Sequence, residues 1–399
     1  MIDAVNIKID GKEYTDFISA TITKSLEELC GEFNIVCSST PNIDFPIKVG
    51  SKCDIVIHGE NVINGYIEKL SISYSSETES GTHKITVSGR DRTADLVDST
   101  IGGSESSEFQ VPKNGITLKQ ITEKVLSQFN LSDIKVIDNL NLKPFTDLVS
   151  DKFGSKAFDF LEKYAKKRQV LITTTGDGNI EFVRSPAKSY KTALILSKNA
   201  PATIISGNVV LDDSKRFNQY FGSAQGNPTS LQNLTSKPLN IAGSGNSPVV
   251  DNEIRNSRIY HFEPHFSSEQ ETLTQRVQWE ANYRKSQSRK LKYTVQGHVA
   301  KDDKEIWKIG RLVSVTDEFA DILNGVKLIS NIRYTFDLTN GARTDLTLLD
   351  KDAFSLIVNK PDTEVENERG DLGQYVSSGL TKARQEIGKA LRGVTGGTT

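Results

Sequence analysis

The feature that most constrains this 399-residue chain is a stretch that occurs twice. The segment "KVGSKCDIVIHGENVINGYIEKLSISYSSETESG" (residues 48–81) lies over "KIGRLVSVTDEFADILNGVKLISNIRYTFDLTNG" (308–341) without a gap. Lys48/Lys308, Gly50/Gly310, Asn64/Asn324, Gly65/Gly325, Ile72/Ile332, Tyr74/Tyr334 and Gly81/Gly341 are identical. Val49/Ile309, Ile55/Val315, Val62/Ile322 and Ile63/Leu323 are conservative. Self-similarity at a fixed spacing is the mark of one structural unit used twice. The residue types suit a β-unit: a glycine precedes each strand, and Asn-Gly fits the positive φ of a tight hairpin. The expectation is two copies of one β-unit with an α+β segment between them.

The rest of the chain fits that frame. "AVNIKIDGKEY" reads as two strands about an Asp10-Gly11 turn, and "EFNIVCS", "KCDIVIHG", "NGYIEKLSISYS" and "HKITVSG" follow with period-two alternation. Six or so short strands predict a small barrel or sandwich. Residues 104–190 change character. "GITLKQITEKVLSQFN" is an amphipathic helix with a Thr117/Gln120 capping box and a stripe of Leu118, Ile121, Val125 and Phe129. "GSKAFDFLEKYAKKRQ" is a second, with Ser155 as N-cap, Phe158, Leu161 and Ala165 inward, and Lys166, Lys167 and Arg168 complementing the C-terminal dipole. "VLITTTGDGNIEFVR" is a hairpin turning at Asp177-Gly178. Residues 222–252 read as a polar surface loop, and "SSEQETLTQRVQWEANYRKSQSRK" as a long helix with Leu273, Val277, Ala281 and Arg284 along one side. After Lys360 a last amphipathic helix carries Leu372, Val376, Leu380, Ala383, Ile387 and Leu391.

Composition removes several function classes. A formal net charge of −2 gives no basic field for nucleic acid and no polybasic membrane signal. No run of about 18 apolar residues exists to span a bilayer, and the N-terminus reads as a strand, not a signal peptide. Cys30, Cys37 and Cys53 lack a metal or disulfide spacing and read as buried thiols of a reducing cytoplasm.

The motifs that tempt toward chemistry are weak. In "HFEPH" (261–265) the glutamate is displaced from the zincin position and Pro264 breaks the helix that motif needs. His58, His83 and His298 are isolated. "GDG" (176–178) and "GSG" (243–245) lack the continuation of a phosphate loop. Asp212-Asp213 and Asp302-Asp303 sit at loop-like positions, and no carboxylate pair is singled out as a glycosidase would require. "VSGRDRTADLVDST" (87–100) is the densest charge cluster. Gly89 is expected to end its strand and Thr93 or Asp91 to cap a short helix packing Ala94, Leu96 and Val97. Arg90, Asp91 and Arg92 are expected to form an ion-paired clasp. No catalytic, cofactor-binding or metal-ligating residue is assigned, and no cofactor is expected.

One segment carries a family resemblance. Residues 276–354, "RVQWEANYRKSQ…DKDAF", resemble the baseplate hub proteins of contractile phage tails, the Mu-like and late-control-protein group. Trp279, Glu280, Arg284, Gly297, Trp307, Gly310, Val313, Val315, Asp317, Leu328, Ile329, Tyr334, Gly341, Leu346, Leu348 and Phe354 fill the family's positions, in order. "GRDRTADLVDST" and "FDFLEKYAKKRQVLITTTGDGNIEFVR" agree with it. The resemblance implies an α+β, mainly β chain. Two tail-tube-like β-barrel domains (1–100, then 191–221 with 290–355) flank an α+β module (101–190); an inserted loop and helix (222–289) and a C-terminal tail (356–399) complete the chain, the 222–252 loop and the last helix departing from the family's pattern. It further implies a structural homotrimer, a pseudo-hexameric ring joining tail tube to central spike, with baseplate wedge and tape-measure proteins as further partners. Its place would be the virion tail baseplate, after synthesis in the host cytoplasm. Specific nucleic-acid binding and membrane insertion are not expected. The rival readings are a tail-associated cell-wall hydrolase and a surface adhesin.

Overall fold

A computed structural model of the chain describes residues 5–14, 17–38, 47–75, 82–101, 108–109, 114–146, 149–150, 153–184, 188–222, 248–262 and 273–353. The 223–247 part of the polar loop, His265, Phe354 and the C-terminal helix lie outside these residues.

The first strands are β1 (Val5–Ile9), β2 (Lys12–Tyr14), β3 (Ser19–Ser25), β4 (Glu32–Ser38), β5 (Lys52–Ile57), β6 (Glu60–Ser75) and β7 (Thr82–Asp91). Strict alternation of buried and half-buried residues in β1 and β5 gives them one core face each. Asp10 (φ 48°) and Gly11 (φ 80°) make the expected tight turn. The β5–β6 turn is His58-Gly59 (φ 51° and 78°), not Asn64-Gly65, which lies within β6.

After a short helix α1 (Ala94–Asp98) comes the α+β module: α2 (Leu118–Gln128), α3 (Ala157–Lys166) and the hairpin β8 (Leu171–Thr174) and β9 (Ile180–Val183). Its own core holds Leu118, Ile121, Val125, Phe160, Leu161, Tyr164 and Ile180. The Thr117/Gln120 capping box is present. Ser155 caps nothing; α3 starts after Lys156 without a side-chain cap, and Phe160 and Tyr164 face inward where Phe158 is only half-buried. Arg168 is not a solvated dipole partner. It is buried over the Phe145 ring and donates to the carbonyls of Lys143 and Pro144.

The remaining elements are β10 (Leu194–Leu196), β11 (Ile204–Leu211), β12 (Gln219–Gly222), β13 (Ile259–Phe262), α4 (Leu273–Gln287), β14 (Arg289–Gln296), β15 (Leu312–Asp317), β16 (Ile322–Asp337) and β17 (Gly341–Asp350). Val277 and Ala281 of α4 pack on Tyr220 of the parallel pair β12–β13, as their spacing predicts. The large sheet runs β11-β14-β17-β16-β3-β4-β7-β6-β5-β1-β2, with β15 against β16 and β10 against β15. It is mainly β architecture, as expected. The two closed barrels are not there: among the described residues the sheet is open, and β16 joins its halves by pairing antiparallel with β3.

The repeated segment folds alike in both places. Gly50 N–H donates to the Ile67 carbonyl (2.8 Å) and Gly310 N–H to that of Ile329 (2.9 Å). Both glycines have positive φ. One residue later each long strand bulges, at Glu68 and at Ser330. The gapless alignment, however, slips inside the unit. The β15–β16 turn is longer than His58-Gly59, so Ile67 corresponds to Ile329 and Ile72 to Tyr334, not to Ile332.

Candidate assembly surfaces

The charge cluster of residues 87–100 is built into a joint. Gly89 does not end β7, which continues to Asp91. A side chain at Gly89 would stand 2.0 Å from the Tyr66 carbonyl oxygen, and one at Gly65 would stand 1.9 Å from that of Arg90. Two glycines thus let β6 and β7 cross closely at the bulge. The bulge turns Glu68 toward Arg90, whose guanidinium takes it in a fork (2.8 and 2.7 Å) and also reaches Asp98. Arg92 pairs with Asp133 at 3.0 Å. Asp91 is fully buried, accepts from the Thr174 hydroxyl at 3.1 Å and lies 3.9 Å from Lys24 Nζ. Burial pushes its carboxyl up to about 6, against the opposing pull of Lys24. Lys24, itself pushed down by burial, donates to the carbonyls of Val62 and Thr174. Neither Thr93 nor Asp91 caps α1 by a side-chain bond. The expected clasp exists, and it ties β3 and β7 to the β8–β9 hairpin.

The other candidates are also held in place. His261 stacks on Phe221, ring centroids 4.7 Å apart. His298 is buried beside Thr344. Among the described residues no group of three or more His, Cys, Asp or Glu is arranged to hold a metal ion. A cleft between Lys24, Asn61, Asp177, Glu181 and Lys308 has three carboxylates. Glu60 pairs with Lys308, and Asp177 accepts from the Asn61 amide at 2.7 Å. Around Arg216, Asp251 and Glu253 close an ion network, and Lys285 and Arg216 hold Glu253 down to about 2.

Two strands of the large sheet leave an edge unpaired. Beyond Ile67, β6 pairs only with β7, and β11 pairs only with β14, among the described residues. Both free edges are apolar on the face that continues the core. Ile72 is 50% exposed and Tyr74 81%; Val209 is 36% and Leu211 74%. Sequence patterning marks Ile72 and Tyr74 only as positions of the repeat, and none of the four as an exposed edge. Period-two alternation reports which face a side chain takes, not whether a neighbouring strand covers it. The residues that carry the family resemblance are core and turn positions: Val313, Val315, Leu328, Ile329, Leu346 and Leu348 are buried, Asp317 accepts from Tyr293, and Tyr334 donates to the Trp307 carbonyl. Trp279, Glu280 and Arg284 are half-buried on α4, where Arg284 pairs with Glu280; together these residues preserve a shape.

That shape has relatives. Family models match residues 4–91 (Mu phage baseplate assembly protein GpP-like, N-terminal), 93–184 (baseplate hub protein gp44-like, second domain) and 269–357 (Mu phage baseplate assembly protein GpP, fourth domain). The chain belongs to the Mu-like baseplate hub family, and its function is that of a structural tail protein. Baseplate hub protein gp44 of Escherichia phage Mu is 23% identical over 377 residues, 93% of either chain. The 43 kDa tail protein of prophage MuSo2 from Shewanella oneidensis is 29% identical, with a TM-score of 0.72 over 88% of this chain and 99% of that one. A tail protein from Neisseria meningitidis MC58, 18% identical, shares the fold with a TM-score of 0.72 over 89% and 98%.

Proposed function

We infer that three copies of this chain form a ring of six similar β-units that seats a threefold central spike on a sixfold tail tube. Residues 1–100 supply one unit, and 191–221 with 290–355 the other, related by internal duplication. The observation that carries this reading is the shared wiring of the two units: the same glycine-to-bulge hydrogen bonds, in long strands of equal length within one sheet. A chain that contains two equivalent units turns threefold symmetry into near-sixfold symmetry, which removes the mismatch between spike and tube. Its work is binding by buried interface area, with no transition state to stabilise. Two of the three carboxylates in the cleft, Glu60 and Asp177, are already engaged by Lys308 and Asn61, which supports a non-enzymatic role over a cell-wall hydrolase. The partners in this reading are tube, spike, wedge and tape-measure proteins, in the virion baseplate.

The test is co-production of the full chain with its spike and tube proteins, followed by native mass measurement. A hub-to-spike ratio of three to three, with a tube ring bound, is expected. Hub that stays monomeric beside its partners would overturn the reading, and clearing of peptidoglycan on a zymogram would favour the hydrolase.

A further inference from the structure

Inside the chain one edge-to-edge junction between the two halves is already made. β16 pairs with β3, with Ile332 opposite Lys24, Tyr334 opposite Ile22 and Phe336 opposite Ala20. The side chains there are covered: Tyr334 is 2% exposed and Ile22 1%. The hydrogen-bond registers say which residues hold the equivalent places at the two free edges. Counting on from the matched pair Ile67 and Ile329, Leu70, Ile72 and Tyr74 of β6 stand where Ile332, Tyr334 and Phe336 stand in β16. Stepping across the sheet, Leu70–Val87–Ile35–Ala20 in one half repeats as Ile332–Leu346–Tyr293–Gly207 in the other. Gly207 of β11 therefore takes the place of Ala20 of β3, and Val209 that of Ile22.

We propose that the free edge of β6 in one copy pairs antiparallel with the free edge of β11 in the next, repeating between chains the junction that β16 and β3 make within one. The register is Leu70 opposite Leu211, Ile72 opposite Val209 and Tyr74 opposite Gly207. Three features of the molecule meet in that register. The exposed core-facing residues of the two edges cover each other, which removes the apolar surface and unpaired backbone that a bare edge presents. An aromatic ring falls opposite a residue with little or no side chain in both junctions, Phe336 on Ala20 and Tyr74 on Gly207. Lys69 and Asp212, opposite in charge and both exposed, become the next pair along. The occupant is a second copy because the in-chain junction is the template for it. Each copy offers one edge of each kind, so the contact is head-to-tail and propagates until the ring closes. This deepens the ring reading and rests on it.

The experiment uses the full chain, co-produced with the spike protein, carrying Ile72→Cys and Val209→Cys together. Directly opposed residues in an antiparallel pair have Cβ atoms about 4.5–5.5 Å apart, near disulfide reach. Mild oxidation is expected to give covalently closed trimers as the major species. Mixing the two single variants should give covalent dimers only, and Ile72→Cys with Leu211→Cys, out of register, should give far less product. Both sites are exposed, so an unchanged thermal transition of each single variant verifies the fold. Assembly of three copies under reducing conditions with no Ile72–Val209 cross-link overturns this pairing and leaves the ring standing. A monomer under every condition removes the ring as well.

Discussion

Asp91 holds a carboxylate where water cannot reach it, between Lys24 and the Thr174 hydroxyl. Its folded value, pushed up to about 6, lies above the ordinary 3.8. The folded protein therefore keeps this proton more tightly than the unfolded chain does. The stability it contributes is fully present below about pH 4 and is lost as pH rises through 6. Asp91→Asn keeps a hydrogen-bonding oxygen without the titration. Between about pH 4 and 7 the wild type should lose roughly 2 kcal/mol relative to this variant in urea unfolding. A gap between the two that stays constant with pH would show that Asp91 is not the titrating group. Gly65 makes a second residue-scale prediction. Its missing side chain is what lets the Arg90 carbonyl approach, so Gly65→Ala should lower stability by about 3 kcal/mol. An unchanged urea midpoint would contradict that reading of the crossing. The charge pattern Arg90-Asp91-Arg92 reveals a clasp. It does not reveal that Asp91 is the buried member, because burial depends on β8, which is distant in sequence.

At the scale of elements, local chemistry was legible and long-range register was not. The Thr117/Gln120 box fixes the start of α2 through bonds three residues apart, so the sequence contains all of it. Thr117→Ala should cost about 1 kcal/mol, measured by chemical denaturation, with no change in assembly. A loss of several kcal/mol would mean that the cap also anchors the module. α3 is the opposite case. Ser155 has the right chemistry, but packing of Phe160 and Tyr164 sets where the helix begins. The repeat was visible for the same reason as the capping box: Gly50 and Gly310 need positive φ, and a glycine keeps its identity where a buried aliphatic residue drifts. The turns between the strands differ in length, so identities such as Ile72/Ile332 and Tyr74/Tyr334 were coincidences of spacing. The proper partners, Ile72 and Tyr334, are chemically unlike.

At the scale of the whole molecule, the large sheet is open among the described residues and carries an α+β module clasped to its first strands, and on the proposed reading its free edges are where further copies join. A closed barrel would end the structure at one chain; an open sheet with apolar edges requires a neighbour. Composition could suggest neither. We propose that the amphipathic C-terminal segment read from the sequence after Lys360 contacts a partner, and this belongs to the same scale. Removing residues 360–399 should leave the thermal transition of the β-sheet unchanged and abolish capture by the spike protein in a pull-down; capture at full strength would rule that role out. The most direct test is electron cryo-microscopy of assembled tails at the level where tube meets spike, counting hub chains in the ring. Three chains presenting six β-units are expected, with strand density running without a break from β6 of one copy into β11 of the next. Six chains in that layer, or three chains with a gap between those strands, would contradict it.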